Sequence, residues 1–257
     1  GAIFIENNSP VSSQVNITGC SFEHNDAWTR GGAIFIQDTQ SSVIMDLNII
    51  KCTMFENNSG DGGAIYYDNR GHIDMEFSKS RIFNNSSSWG SAIYMKFMET
   101  MPGNILAQKF SNLLIFKNNG YDQSGVYIDM GLTQNPQNLN FTNATIAFNS
   151  IKPSKEVKQD YTSGIYLKGP IGNFPQIRNS ILWQNTDYIG ESNFFLEGSP
   201  IPQIDSIFRY CDIGGFFAEQ PNISAPPLFV RPPLNSEEEY MMDIDRYDFH
   251  LSVHSPC

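Results

Sequence analysis

The sequence predicts an all-β chain folded as a single-stranded parallel β-helix of about seven coils, and three repeating signals carry this prediction. One is a five-residue segment opening with Gly or Ser, which recurs at 1–5, 32–36, 63–67, 91–95, 124–128 and 163–167. Another is an apolar residue followed three positions later by asparagine, once in each repeat. The third is the alternation of apolar and polar residues, as at Ile73, Met75 and Phe77, which is typical of strands. The first residues of the five-residue segments lie 31, 31, 28, 33 and 39 positions apart, which indicates stacked copies of one unit.

The five-residue segment is predicted to form a strand whose third and fifth residues face the interior. Those two residues are apolar in all six copies: Ile3/Ile5, Ile34/Ile36, Ile65/Tyr67, Ile93/Met95, Val126/Ile128 and Ile165/Leu167. Three short strands joined by turns fit a coil of about 31 residues, and successive coils would then pair in parallel.

The recurring asparagines are predicted to form a ladder in a turn, with each side-chain amide bonded to its neighbours above and below. The ladder would consist of Asn25, Asn57, Asn85, Asn118, Asn149 and Asn185. Asparagine also tolerates the left-handed backbone that a sharp corner needs.

The repeat predicts one domain over residues 1–215, which we expect to continue N-terminally in a longer parent protein. Residues 216–257 include Pro221, Pro226, Pro227, Pro232 and Pro233 and the acidic run Glu237–Glu239. Because proline interrupts strand pairing, this segment is predicted to cross the end of the helix as a cap that covers open strand edges.

These motifs resemble those of a known family. Gly-Gly-Ala-Ile at 31–34, combined with the Phe-x-x-Asn of Phe22 and Asn25, is similar to the repeat of chlamydial polymorphic outer-membrane proteins and related β-helix surface proteins. The segments 179–185, 210–213, 227–230, 247–251 and 255–257 resemble the end of secreted pectin-lyase-like β-helix domains. The resemblance implies a right-handed helix and a location outside the cell or on its surface.

Composition disfavours two classes of partner. The net charge of −11, with only 16 Lys and Arg, disfavours nucleic acids and anionic membrane surfaces. No apolar run approaches the length of about 18 residues that a membrane-spanning helix requires. Together with the extracellular or cell-surface location that the resemblance implies, this leaves other protein chains, copies of itself or surface glycans as the expected partners.

Eight Asn-x-Ser/Thr sequons are candidates for glycosylation, at Asn7, Asn16, Asn57, Asn84, Asn85, Asn140, Asn143 and Asn222. Asn57 and Asn85 also belong to the ladder, where a buried side chain could not be modified.

Four cysteines are candidates for disulfides. Cys20 and Cys52 both lie five residues before a ladder asparagine, so stacking would bring them within reach of a disulfide. Cys211 and Cys257 are candidates for closing the C-terminal segment. Four buried thiols are the alternative.

No catalytic residue and no metal site is predicted, although polysaccharide lyases and hydrolases share this fold. Such sites need paired carboxylates, or calcium with a basic residue beside it. The turn aspartates lie at differing offsets from the strands, without a recurring basic partner: Asp26, Asp61, Asp122 and Asp160. We interpret them as solvated, with calcium as the alternative. The histidines share no column and are interpreted as ordinary surface or cap residues: His24, His72, His250 and His254.

An aromatic column is the candidate surface for stacking on a sugar or a protein partner, and mutual stacking that stiffens the wall is its alternative. It consists of Phe4, Phe35, Tyr66, Tyr94, Tyr127 and Tyr166. The function expected from the sequence is a non-enzymatic structural or adhesive module. The alternatives are a polysaccharide-degrading enzyme and a carbohydrate-binding module.

Overall fold

A computed structural model describes residues 1–39, 43–70, 72–97, 107–123, 125–131, 139–151, 162–169, 174–187, 189–198, 204–215, 221–232 and 248–256. Within these ranges the regular structure is β-strand, apart from one short helix at Ile204–Ile207.

Most strands form four walls, numbered here in the order in which one coil visits them. The first wall contains Ile3–Asn7, Ile34–Asp38, Ile65–Asn69, Ile93–Phe97, Val126–Asp129, Ile165–Lys168 and Phe194–Glu197. The second contains Ser13–Thr18, Met45–Ile50, Ile73–Ser78, Gln108–Ser111, Leu139–Thr142, Gln176–Arg178 and Phe208–Arg209. The third contains Ser21–Glu23, Thr53–Phe55, Arg81–Phe83, Leu114–Phe116, Thr145–Ala147, Ile181–Trp183 and Asp212–Ile213. The fourth contains Asp26–Arg30, Asn58–Asp61, Ser86–Trp89, Asn119–Gln123 and Ser150–Ile151.

Each strand pairs in parallel with the equivalent strand of the next coil, so the predicted parallel β-helix is confirmed. Ile34 aligns with Ile65, and Ile65 with Ile93, as the repeat requires. Three walls are seven strands deep and the fourth is five deep, so five coils carry all four strands, slightly fewer than the predicted seven. The expectation of three strands per coil was wrong. The sequence did not predict the fourth strand, because segments such as Asn58–Asp61 are short, polar and rich in residues that favour turns.

The interior is one continuous apolar core along the axis of the helix. The predicted inward residues fill it: Ile34 and Ile36 are fully buried, and the next coil contributes Ile65 and Tyr67. Because each layer packs against the layers above and below, burial is least complete in the first coil, where Ile5 is 8% exposed.

Left-handed backbone residues recur at three corners of the coil. One column precedes the ladder asparagines by one residue: His24, Glu56, Asn84, Lys117, Phe148 and Gln184. A second lies between the second and third walls: Gly19, Lys51, Lys79, Asn112, Asn143, Asn179 and Tyr210. The third precedes the first wall: Gly31, Gly62 and Gly90. The expectation that the ladder asparagines would adopt this backbone was therefore wrong by one position, because the residue before each asparagine makes the corner.

We expect the change Lys79→Gly to stabilise the protein. Lys79 is exposed and has a φ of 54°. This left-handed backbone lowers the free energy of unfolding by about 1–2 kcal/mol for a residue with a Cβ, and glycine does not carry that cost. The greater chain entropy of glycine in the unfolded state offsets part of this, leaving a gain of up to about 1 kcal/mol. Urea unfolding measures the difference. A loss of stability would show that the Lys79 side chain makes a compensating contact.

The C-terminal segment both touches the last coil and runs along the side of the helix. Ile223 donates its N–H to the Cys211 carbonyl at 2.9 Å and accepts from Ile213, also at 2.9 Å. Strands Phe229–Arg231 and Asp248–Leu251 pair antiparallel. The Phe249 ring lies 4.8 Å from Phe116, on the outer face of the third wall. The predicted domain boundary at residue 215 stays a prediction, since half of 216–257 lies outside the described residues.

Candidate functional site

The asparagine ladder is continuous through the described coils and follows a constant donor rule. Each Nδ2 donates to the Oδ1 of the next asparagine at 2.8–3.0 Å, from Asn25 through Asn185. The same Oδ1 also accepts the backbone N–H of the preceding asparagine, as Asn118 does from Asn85 at 3.0 Å. The ladder therefore has a direction, with its donors pointing towards the C-terminal end of the helix.

The last rung is Asn193, which the spacing did not reveal. It lies only eight residues after Asn185 in the sequence, yet its Oδ1 accepts from Asn185 Nδ2 at 2.8 Å. Its own Nδ2 donates to the Gly214 carbonyl at 2.8 Å, so a backbone group closes this end of the ladder.

A second polar column lies at the corner between the second and third walls. The Ser80 hydroxyl donates to the Ser78 carbonyl at 2.8 Å and accepts the Cys52 N–H at 2.9 Å. Ser180 repeats this arrangement with Arg178 and Ala144. Sequence reasoning missed the column because its members are chemically mixed: Cys20, Cys52, Ser80, Leu113, Ala144, Ser180 and Cys211.

The sulfur atoms in this column are free thiols, so the predicted Cys20–Cys52 disulfide is not formed. The Cys52 sulfur points inward, where it lies 3.5 Å from the Ile50 carbonyl, whereas Cys20 is exposed and lies 3.5 Å from the Thr18 carbonyl. Cys211 is also free and buried, and burial raises the pKa of the Cys52 and Cys211 thiols. Cys257 lies outside the described residues.

The eight sequons divide by accessibility. Four of their asparagines are almost fully buried and hydrogen-bonded: Asn7, Asn57, Asn85 and Asn222. The other four are exposed or half-buried: Asn16, Asn84, Asn140 and Asn143. A glycan therefore has access only at the second group in this fold.

The aromatic column forms a continuous ladder on the outer side of the first wall. Its rings are stacked from Tyr66 to Phe195, whereas Phe4 is tilted against Phe35 and Phe35 meets Tyr66 edge-on. Its ring centroids are 4.7–5.3 Å apart from Phe4 to Phe195, which extends the predicted column by one member. Phe4 is 57% exposed, but Tyr66, Tyr127 and Tyr166 are at most 4% exposed. The Arg30 guanidinium covers the Tyr66 ring at 4.8 Å, and the Trp89 ring contacts Tyr127 at 5.5 Å. The expectation of exposed faces is wrong at these three tyrosines, where the rings stack on one another.

A column of charges runs beside the tyrosines on the same wall. The column aligns five residues in register, and their charges alternate in sign at every step: Asp68, Lys96, Asp129, Lys168 and Glu197. Lys168 Nζ lies 3.4 Å from Glu197 Oε1. Charges of opposite sign in neighbouring strands favour the observed register. The sequence does contain this signal, because each charged residue lies two positions after a member of the aromatic column.

Stability should increase as the pH is lowered from neutrality towards about pH 4, close to the ordinary carboxylate pKa. Burial raises the pKa of Asp61, Asp68 and Asp74, although nearby Lys and Arg side chains partly oppose the shift. A carboxyl whose pKa is raised by folding binds its proton more tightly in the folded state, so the charged form at neutral pH destabilises the fold. Urea unfolding across this range measures the effect, and Asp68→Asn should flatten it. A decrease in stability on acidification would contradict the prediction.

Besides the surface contact of His24 Nδ1 with Glu56 Oε2 at 3.0 Å, two histidines pair with carboxylates that the sequence did not indicate. His72 is not an ordinary surface residue, because its Nδ1 lies 3.3 Å from Oδ2 of the fully buried Asp38. Asp38 also accepts from the backbone N–H groups of Arg70 and His72 and from Asn7 Nδ2. These bonds join three neighbouring coils at the corner between the first and second walls, which indicates a structural role.

The second pair lies on the C-terminal hairpin. His250 Nδ1 is 2.6 Å from Asp248 Oδ1, and hydrogen bonds from His250 lower the pKa of Asp248. Both side chains line a cleft of about 280 Å³ against the third wall, opposite Arg81. This cleft brings one acid, one imidazole and one guanidinium together.

Within the described ranges, no three His, Cys, Asp or Glu side chains lie together in an arrangement that could hold a metal ion. The same ranges contain no helix long and apolar enough to cross a membrane. No protein-family model, curated protein or solved structure matches the chain.

Proposed function

We propose that this chain is a rigid, non-enzymatic structural or adhesive module of a glycosylated extracellular surface protein or fibre. The observation that carries the proposal is the asparagine ladder. In successive coils, a fully buried side-chain amide donates a hydrogen bond to the asparagine of the next coil. Such a ladder stiffens the long axis, and the outer faces that the C-terminal hairpin does not cover remain available for partners. The resemblance to polymorphic outer-membrane and pectin-lyase-like repeats supports an extracellular location.

The adhesive role can be tested with beads that carry the protein. We expect coated beads to bind to cell surfaces, extracellular matrix or a surface coated with the same protein, and uncoated or albumin-coated beads not to bind. Failure to bind any of these surfaces would leave only the structural part of the proposal. Measurable cleavage of a polysaccharide would contradict it.

The enzyme alternative predicts product from uronic-acid or neutral polysaccharides, with or without calcium. The cleft beside Arg81, Asp248 and His250 is where we would look for such an activity, because it combines an acid with an imidazole. We expect no product. Reducing ends that appear with the natural protein and disappear with His250→Ala would favour the enzyme.

Glycosylation tests the proposed location together with the fold. In folded protein secreted from eukaryotic cells, we expect glycans at Asn16 and Asn143, which are exposed. We expect none at Asn57 and Asn85, because both side chains are buried in the ladder, and a modified Nδ2 would keep only one N–H for the two bonds it donates there. Glycopeptide mass spectrometry reads each site separately. A glycan on Asn57 in folded material would contradict the fold, and unmodified sites throughout would contradict the glycosylated character of the proposal.

A further inference from the structure

The cleft between the C-terminal hairpin and the third wall has the lining of a small sugar-binding site. Phe249 contributes an aromatic surface, and hydrogen-bonding groups come from Arg81, Asn112, Thr145 and His250. Ligand sites combine apolar walls with a few polar groups in this way, and an aromatic ring can pack on the C–H face of a pyranose. The volume of about 280 Å³ lies close to the lower end of the range for small-molecule sites, about 300 Å³, and suits one sugar residue rather than a chain.

One sequon stands at the edge of this cleft. Asn143 is exposed, and Thr145, the residue that completes its Asn-x-Thr motif, lines the cleft. Asn143 Nδ2 donates to Asn112 Oδ1 at 3.3 Å, and Asn112 is a lining residue that belongs to the preceding coil. The atom that would carry a glycan is therefore directed along the helix axis towards the cleft, and the first sugar would begin at its rim.

The other accessible sequons lie elsewhere on the helix. Asn16 and Asn140 lie on the outer face of the second wall, and Asn84 lies at the corner between the third and fourth walls. None of the three is among the described residues that line the cleft. Asn143 is thus the accessible sequon whose first sugar reaches the cleft directly, and the others provide controls.

We infer that the cleft seats the first N-acetylglucosamine of an N-linked glycan on Asn143. In the covalent step, Nδ2 attacks C1 of a lipid-diphosphate-linked oligosaccharide, the bond from C1 to the phosphate oxygen breaks, and Nδ2 gives up one proton as the lipid diphosphate leaves. Nδ2 keeps one N–H for the bond to Asn112 Oδ1. The assignment rests on the proposed glycosylation and deepens it, because it gives one glycan a defined place in the fold.

A sugar seated in the cleft joins the hairpin to the helix. It contacts Asn112 and Thr145 on the coils and Phe249 and His250 on the hairpin. Because the sugar is covalently held beside the cleft, its effective concentration there is high, and contacts that are weak individually suffice to hold it. The hairpin should therefore open less often when Asn143 is glycosylated.

The position of the sugar can be observed by NMR. The protein is secreted from eukaryotic cells and trimmed with an endoglycosidase that leaves one N-acetylglucosamine on each occupied asparagine. We expect nuclear Overhauser effects between a sugar residue and the Phe249 ring. They should disappear in Asn143→Gln and persist in Asn16→Gln, which removes an accessible sequon away from the cleft.

Hydrogen exchange of the hairpin strand Asp248–Leu251 measures how firmly the sugar holds it. In secreted protein we expect its amides to exchange about tenfold more slowly than in Asn143→Gln, whereas Asn16→Gln should match the natural chain. The same three proteins produced in bacteria without N-glycans should exchange alike. A tenfold difference among the bacterial proteins would assign the effect to the substitution and overturn the role of the sugar.

The results that overturn the inference are distinct from those that overturn the proposed function. A glycan on Asn143 without contacts to Phe249 and without slower exchange would show that the sugar points into solvent, and the glycosylated character of the protein would stand. A glycan on Asn16 with none on Asn143 would remove the occupant alone. Unmodified sequons throughout would contradict the proposed glycosylation itself and the inference with it.

Discussion

Replacing Asn118 with alanine should destabilise the protein by about 2–4 kcal/mol, because buried donors and acceptors lose their partners. Asn118 is fully buried, and its Oδ1 accepts from both nitrogens of Asn85. Its Nδ2 donates to Asn149 Oδ1 at 2.9 Å and to the Ile82 carbonyl at 3.1 Å. Urea unfolding followed by circular dichroism measures the loss.

Two further variants separate hydrogen bonding from packing. Asn58→Ala is the matched control, since its Nδ2 bonds to Asp26 on the exposed face of the fourth wall, and the change should cost no more than about 0.5 kcal/mol. Asn118→Asp keeps the size but directs a carboxylate at Asn149 Oδ1. It should be destabilised at neutral pH and partly rescued at acid pH, where the carboxyl regains a donor. If Asn118→Ala lowers the free energy of unfolding no more than Asn58→Ala does, the ladder contributes little to stability.

Replacing Gly62 with alanine should cost about 2–5 kcal/mol, which combines a left-handed backbone with overpacking. Gly62 has a φ of 64°, and a Cβ added there would lie 2.3 Å from the Ile65 carbonyl oxygen. The atoms that it meets are backbone, so no side chain can move aside. The variant should unfold at a markedly lower urea concentration.

Gly19→Ala is the control for this change. Gly19 has a nearly identical φ of 67°, yet a Cβ there meets nothing within 4 Å. It should lose only the backbone part, up to about 1 kcal/mol once the greater chain entropy of glycine in the unfolded state is allowed for. If both variants lose the same free energy of unfolding, the backbone at the corner before the first wall must shift to accommodate the added Cβ without an energetic cost.

The periodic parts of the fold were predictable from the sequence because stacking requires the same chemistry at the same place in every coil. The inward pairs of the first wall and the ladder from Asn25 to Asn185 could be found for this reason. Asn193 could not, because it reaches the ladder from a shortened coil only eight residues after Asn185. The polar column between the second and third walls could not be predicted, because cysteine, serine and apolar residues occupy the same position in different coils.

Other features depend on contacts that no repeat encodes. The burial of Tyr66 and Tyr127 results from Arg30 and Trp89, which come from the fourth wall. The pairing of His72 with Asp38 joins residues 34 positions apart. The C-terminal hairpin lies against the third wall because Phe249 packs on Phe116. The hairpin is not part of the coil repeat, so the repeat gives no signal for this contact.

The central claim is that the coils stack in register into a rigid rod, and one distance between two spin labels tests it most directly. Asn16 and Asn140 belong to one outward column of the second wall and are joined by four successive pairings, through Asn48, Glu76 and Lys109. Cysteines at both positions would carry the labels, with Cys20→Ser removing the exposed thiol among the described residues and Cys257→Ser removing the thiol outside them. At the spacing of stacked strands their Cα atoms should be about 19 Å apart, although 124 residues separate them in the sequence. A narrow distribution near that value, broadened only by the label tethers, is the predicted result. A broad distribution, or one centred far from it, would contradict the account.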